Sequence, residues 1–163
     1  MSDAESTDLT PNRPGPSAAT PPVSRWPTHV ETPVAWSDMD AFGHVNNAVY
    51  IRWFEGARIA WFDACDVMAE MTVPGQVGVG PILASTSCRF LRPVTYPDVV
   101  TTETRTTRLG RSSFTMAYRV RSQQLGTVVA EGDGVVVMVD YSTGRAVPIG
   151  AALRARMLAV DAG

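Results

Sequence analysis

Asn47-Ala-Val-Tyr-Ile-Arg-Trp-Phe-Glu-Gly-Ala-Arg-Ile-Ala-Trp-Phe-Asp-Ala-Cys65 is the one long helical candidate in the sequence, and its composition decides the fold. Val49, Tyr50, Trp53, Phe54, Ala57, Ile59, Ala60, Trp61 and Phe62 cover most of its circumference, and a helix apolar nearly all round belongs inside something. Its polar stripe is Arg52, Glu55 and Arg58 at three-residue spacing, which fits a salt-bridged face. Asn46 or Asn47 is placed to cap its N-terminus.

The chain on either side has a different period. Residues 82–91, 99–108, 113–121 and 127–139 are rich in Val, Thr and aromatics with stretches of alternation, so they read as strands. Gly110, the stretch 124–126 and the stretch 142–144 supply turns between them. Upstream, 30–36 reads as a first strand, with Pro33 pushing it towards an edge or a bend. Residues 73–81 carry Gly75, Gly78 and Gly80 and read as a loop, and 151–160 reads as a short closing helix. A strand, a buried helix and then four long antiparallel strands predict an α+β domain in which a sheet of about five strands wraps one central helix.

The 163 residues are 45% hydrophobic and 18% charged with a net charge of −2, which fits one domain and an appendage. Residues 1–25 hold five prolines among Ser, Thr, Asp and Glu and read as a disordered N-terminal tail, leaving 26–163 as the domain. No apolar run reaches the roughly 18–20 residues of a membrane span, and the N-terminus lacks a signal-peptide core, so the expected compartment is the cytoplasm. Cys65 and Cys88 sit in no metal-binding spacing and read as reduced thiols, and the expectation is no metal and no cofactor. All 14 basic residues are arginine, which excludes Schiff-base chemistry and a P-loop lysine. A pI near 5.6 without a basic run argues against nucleic-acid binding.

The densest polar cluster is Asp38, Asp40, His44, Asn46, Asn47 and Tyr50, immediately before the helix. Unpaired N–H groups and the positive end of the macrodipole meet polar side chains there, a natural place to stabilise an oxyanion. Ser37-Asp-Met-Asp-Ala-Phe-Gly-His-Val-Asn-Asn-Ala-Val-Tyr50, running on through Trp53, Glu55, Ala57 and Arg58, resembles the opening motif of hotdog-fold acyl-CoA thioesterases of the 4-hydroxybenzoyl-CoA thioesterase type. Phe90-Leu-Arg-Pro-Val-Thr-Tyr-Pro-Asp98, Arg111-Ser-Ser-Phe114 and Val139-Asp-Tyr-Ser-Thr-Gly-Arg145 are similar to later pieces of the same family.

The resemblance implies a hotdog fold, a homodimer or homotetramer whose dimer joins two sheets edge to edge, active sites at the dimer interface, and an acyl-CoA substrate. It places the catalytic carboxylate at Asp40 and the carbonyl-polarising amides around Asn47 to Tyr50. His44, Asn46, Asn47 and Tyr50 become candidate substrate contacts, with His44 ordering the loop or touching substrate. Arg111, Ser112 and Ser113 match a turn that meets the phosphates of coenzyme A, and Arg89, Arg92, Arg105 and Arg108 could add to it. Asp38 reads as a structural hydrogen-bonding residue.

The chemistry suits these residues. A thiolate leaving group has a conjugate-acid pKa of roughly 8.5, so one carboxylate and an oxyanion site suffice, whether the carboxylate acts as base or nucleophile. The competing readings are an acyl carrier protein thioesterase, an enoyl-CoA hydratase using Asp40 and His44, and a non-catalytic acyl-CoA binding module. Met39, Phe42, Trp53, Trp61, Met68 and Met71 fit either an acyl pocket or packing around the helix.

Overall fold

The computed structural model describes residues 26–68, 72–73 and 76–162. The tail 1–25 and Met71 lie outside them. Strands β1 (Thr28–Pro33), β4 (Val79–Phe90), β5 (Val99–Leu109), β6 (Ser113–Ser122) and β7 (Thr127–Asp140) form one antiparallel sheet in the order β1-β5-β6-β7-β4, and the short β8 (Arg145–Ala146) pairs with the end of β7. Helix α1 (Asn47–Ala64) lies across this sheet, α2 (Ala151–Ala162) closes the chain, and β2 (Thr72–Val73) and β3 (Gln76–Val77) make a separate hairpin. This is the helix-in-sheet architecture expected from the sequence, with β8 as a sixth strand.

Alternation along β5 and β6 sends Val100, Thr102, Thr104 and Thr106 and then Phe114, Met116, Tyr118 and Val120 to the buried face. Phe54 of α1 stacks on Tyr118 with ring centroids 4.7 Å apart, and Trp61 lies 5.5 Å from Phe114. The sheet curls around the helix at bulges in β4, β5 and β7, where register shifts by a residue. Gly132 of β7 lies where Phe54 of the helix packs on the sheet: a Cβ there would sit 2.2 Å from the Ser87 carbonyl oxygen and 2.6 Å from Phe54. Helix α2 packs through Leu153 and Met157, and buried Asp161 accepts hydrogen bonds from the Trp61 indole and the Thr106 amide, each 3.2 Å.

Three readings are corrected. The first strand ends at Pro33, and Trp36–Asp38 forms a 3₁₀ turn. The stretch read as a loop over 73–81 contains the start of β4, because Gly80 is a packing glycine: the Tyr141 ring lies 2.5 Å from where its Cβ would be. The polar stripe on α1 is only partly a solvated face. Arg52 and Glu55 are exposed, whereas Arg58 is buried. Pro33 does lie on an edge strand, as its missing N–H requires. Among the described residues no helix is long and apolar enough to cross a membrane.

Candidate active site

The segment between β1 and α1 folds back on itself before entering the helix. Asp40 N–H donates to the His44 carbonyl at 2.8 Å, Asn46 N–H to the Asp38 carbonyl at 2.9 Å, and Met39 and Val45 form an isolated bridge. Gly43 closes the loop with a φ of 79°, a left-handed conformation natural to glycine. Residues 91–98 clamp it from outside. Val45 N–H donates to the Val94 carbonyl at 2.9 Å, Val34 N–H to the Asp98 carbonyl at 2.9 Å, and the Tyr96 amide lies 3.3 Å from Met39 Sδ.

Asp38 is structural, as expected: one carboxylate oxygen takes the Arg52 guanidinium at 2.7 Å and the other the Ala35 amide at 3.0 Å. Asp40 is half-buried, and its Oδ1 accepts the Phe42 amide at 2.8 Å, which fixes the side chain by a local turn. Asn46 is the helix cap, its Oδ1 accepting from Ala48 N–H at 2.9 Å. Its carbonyl takes Val49 N–H, also at 2.9 Å. The Asn47 amide is a first-turn donor without a partner among the described residues, at the positive end of the α1 dipole.

Asp40, His44, Asn47 and Tyr50 line one cavity of about 400 Å³ with Phe90 and Arg92. Tyr50 forms its floor. The ring is 2% exposed and packs edge-on against Trp53 and Phe90 at 4.8 and 5.1 Å. Burial pushes the Tyr50 hydroxyl above its ordinary range, opposed by a hydrogen bond to the Val94 backbone, so at neutral pH it is a dipole and not a charge. His44 and Asn47 are exposed at the cavity, and Phe42 stands out from the loop, 86% exposed. Trp53 and Trp61 belong to the core, while Met39 packs partly against it. Arg92, one of four arginines considered for the phosphates of coenzyme A, lines this cavity. Phe90 is a lining residue that sequence reasoning did not single out for the site; its signal was its place at the very end of a strand, shortly before Pro93.

The structure does not bring Arg111, Ser112 and Ser113 to this cavity within one chain. Their turn, closed by Gly110 N–H to the Ser113 carbonyl at 2.8 Å, pairs Ser113 with Val137 and thereby stands level with Ile82 of β4. Phe90, at the cavity, lies roughly 26 Å further along β4 at the usual rise per residue. Arg111 is exposed, with its carbonyl taking Ile149 N–H at 2.8 Å. Of the other arginines, Arg89 pairs with Glu131 at 2.5 Å, Arg105 stacks on Trp26 at 4.6 Å, and Arg108 is exposed. No cluster of three or more His, Cys, Asp or Glu side chains suited to a metal ion occurs among the described residues.

Known proteins share this fold and part of its sequence. A thioesterase from Thermus thermophilus, solved with coenzyme A and zinc, superposes with a TM-score of 0.72 at 32% identity, covering 85% of this chain and 96% of that one. The uncharacterized protein YsmA of Bacillus subtilis is 31% identical over 134 residues, 77% of this chain and 84% of YsmA. The long-chain acyl-CoA thioesterase FadM of Escherichia coli is 24% identical over 119 residues, 73% of this chain and 88% of FadM. The sequence profile of the thioesterase-like superfamily matches residues 34–157, nearly everything from the end of β1 to α2. The chain therefore belongs to the thioesterase-like superfamily, and its helix and antiparallel sheet have the hotdog fold that the resemblance implied.

Proposed function

We propose that this thioester hydrolase acts on acyl-CoA, with Asp40 as its catalytic carboxylate. The observation that carries the reading is the meeting of Asp40 and the unpartnered Asn47 amide at one cavity on the start of α1. The thioester carbonyl oxygen accepts from Asn47 N–H, where the helix dipole stabilises the charge that develops on it. Asp40 takes a proton from water as the new C–O bond forms. The C–S bond then breaks, and the proton passes to the departing thiolate. The same carboxylate could attack directly, forming an anhydride that water opens. His44 and Arg92 border the cavity and are assigned to substrate.

The site is completed by a second copy of the chain. The two ends of the sheet are β1, short and ending at Pro33, and β4, a strand of 12 residues with its outer edge unpaired among the described residues. Two-fold pairing of β4 with its mate runs the strands antiparallel, setting the Phe90 end of one beside the Val79 end of the other. That brings the Arg111 turn of the partner to within about two strand spacings, roughly 10 Å, of the joined edge on the side of the Asp40 cavity. Asp40 and Arg111 serve one substrate only in such a dimer. The coenzyme A bound by the Thermus relative supports the choice of carrier.

The test is release of free thiol from a panel of acyl-CoAs by wild type and Asp40→Asn side by side. Asparagine keeps the oxygen that accepts the Phe42 amide, so the loop is retained while the base is lost, and turnover is expected to fall by about 10²–10⁴-fold. Undiminished turnover in a folded variant removes Asp40 from the mechanism. Silence of the wild type across the panel, with turnover of acyl carrier protein esters, moves the substrate to the carrier protein.

A further inference from the structure

A second cavity, of about 270 Å³, opens between α1 and the start of β4. Ile59, Phe62, Pro81 and Leu83 make its walls apolar, and Glu55 and Arg58 are its polar members. An apolar cavity of about 150 Å³ already holds a benzene ring, so this one has room for a six-carbon chain or a substituted ring.

Arg58 is the one buried arginine among the described residues. It is 8% exposed, and its polar contacts among the described residues are both long. One guanidinium nitrogen donates to Tyr118 Oη at 3.4 Å, and another lies 4.0 Å from Glu55 Oε1, whose side chain is 63% exposed. Burial pushes the Tyr118 hydroxyl up, outweighing the opposing pull of Arg58, so that group stays neutral. Its own O–H points to Met116 Sδ at 3.6 Å. A guanidinium carries five N–H donors, and a buried cation is stable only when an anion or several acceptors meet it. The contacts among the described residues fall short of that, and Arg58 lines the cavity.

The place of the cavity says what reaches it. Pro81 and Leu83 lie near the Val79 end of β4, the end that two-fold pairing sets beside Phe90 and the catalytic cavity of the second copy. We propose that this cavity is the acyl compartment for the partner subunit's Asp40 site, and that Arg58 selects acyl groups ending in a carboxylate. The inference rests on the acyl-CoA hydrolase reading and names its substrate class: the CoA monoester of a dicarboxylic acid, whose chain lies on Ile59, Phe62 and Leu83 and whose free carboxylate meets the guanidinium. Arg58 is then a specificity-determining residue, with no part in the chemical step.

The experiment compares adipoyl-CoA with hexanoyl-CoA, esters of equal chain length that differ in the terminal carboxylate. Wild type is expected to favour adipoyl-CoA in kcat/KM by about tenfold or more, which is about 1.4 kcal/mol in the transition state. Arg58→Met is expected to abolish or invert that ratio, and Arg58→Lys to keep part of it, since the charge survives and the fork does not. Because an Arg58 variant can fail to fold, product inhibition of the wild type provides an independent reading: free adipate should inhibit at lower concentration than hexanoate. Equal kcat/KM for the two esters, or a preference for hexanoyl-CoA, overturns the inference. Conversion of an Arg58 variant to a monomer with both esters affected alike overturns it too, since Arg58 then meets a carboxylate of the second copy. Hydrolysis of hexanoyl-CoA by the wild type leaves the hydrolase reading standing in either case. No turnover of any acyl-CoA sinks that reading itself.

Discussion

Co-expression of Asp40→Asn chains with Arg111→Glu chains is expected to restore activity that neither variant has alone. In the proposed β4-paired dimer each site would take its carboxylate, Asp40, from one copy and its arginine, Arg111, from the other. A hybrid dimer then carries one site with both residues native and one with both altered. Random assembly makes about half of the dimers hybrid and half of their sites native, so the mixture recovers about a quarter of wild-type activity. The parents set a low floor: loss of the base costs about 10²–10⁴-fold. A carboxylate placed against the phosphates weakens kcat/KM by about 10–100-fold at subsaturating substrate. The assay is thiol release from a limiting concentration of one acyl-CoA, with two affinity tags to isolate the hybrid, which should then show about half the wild-type rate. The roughly 26 Å of β4 between the cavity and the level of the Arg111 turn sets the two residues far apart within one chain, so recovery in the hybrid reports on the second copy. Purified hybrid no more active than the mean of its parents refutes the two-copy site.

Three further outcomes follow from the geometry. Gly132→Ala forces a methyl against the Ser87 carbonyl and Phe54, contacts of 2.2 and 2.6 Å, and should cost about 3 kcal/mol, read as a lower melting temperature; unchanged melting would show that helix and sheet are not tightly packed there. Asn46→Ala removes the cap on Ala48 N–H and should cost about 1 kcal/mol in denaturant unfolding, while freeing a second first-turn amide beside Asn47. Burial pushes Cys65 up to about 12 and Cys88 up to about 11 from 9.0. Both thiols stay protonated in the folded chain where unfolded thiols ionise. The contribution of the two thiols to stability is therefore constant below pH 9 and falls as pH rises from there towards 11–12, and the urea midpoint should be lower at pH 10 than at pH 8.

The fold was legible because its determinants are local. An apolar helix capped by Asn46 and alternating Val, Thr and aromatic strands follow from periods of 3.6 and 2, and Asp40 lies next to that helix in sequence as well as in space. Gly80 was the weak point. It sits in a strand with the Tyr141 ring packed where a Cβ would be, a reason that exists only once distant segments meet. Arg58 misled for a related cause: the three-residue spacing that makes an exposed ion-pair stripe also brings every third residue round towards a neighbouring strand, and Tyr118 and β4 decide which applies.

The proposed division of the site has a different origin. Asp40 and the Arg111 turn each carry a recognisable pattern, yet within one chain they lie towards opposite ends of one sheet. What would join them is a symmetry operation, and a sequence encodes that only through the edge on which it acts. Of the two edges, β1 is blunted by Pro33, while β4 presents 12 residues with Ile82, Ala84, Ser85 and Thr86 exposed. A strand of that length left open would pair with any other exposed edge, and a copy of itself is always at hand. Pairing about the middle of β4 covers those residues, unites the carboxylate with the arginine and sets the second cavity against the first, so one contact would make both the dimer and its two active sites.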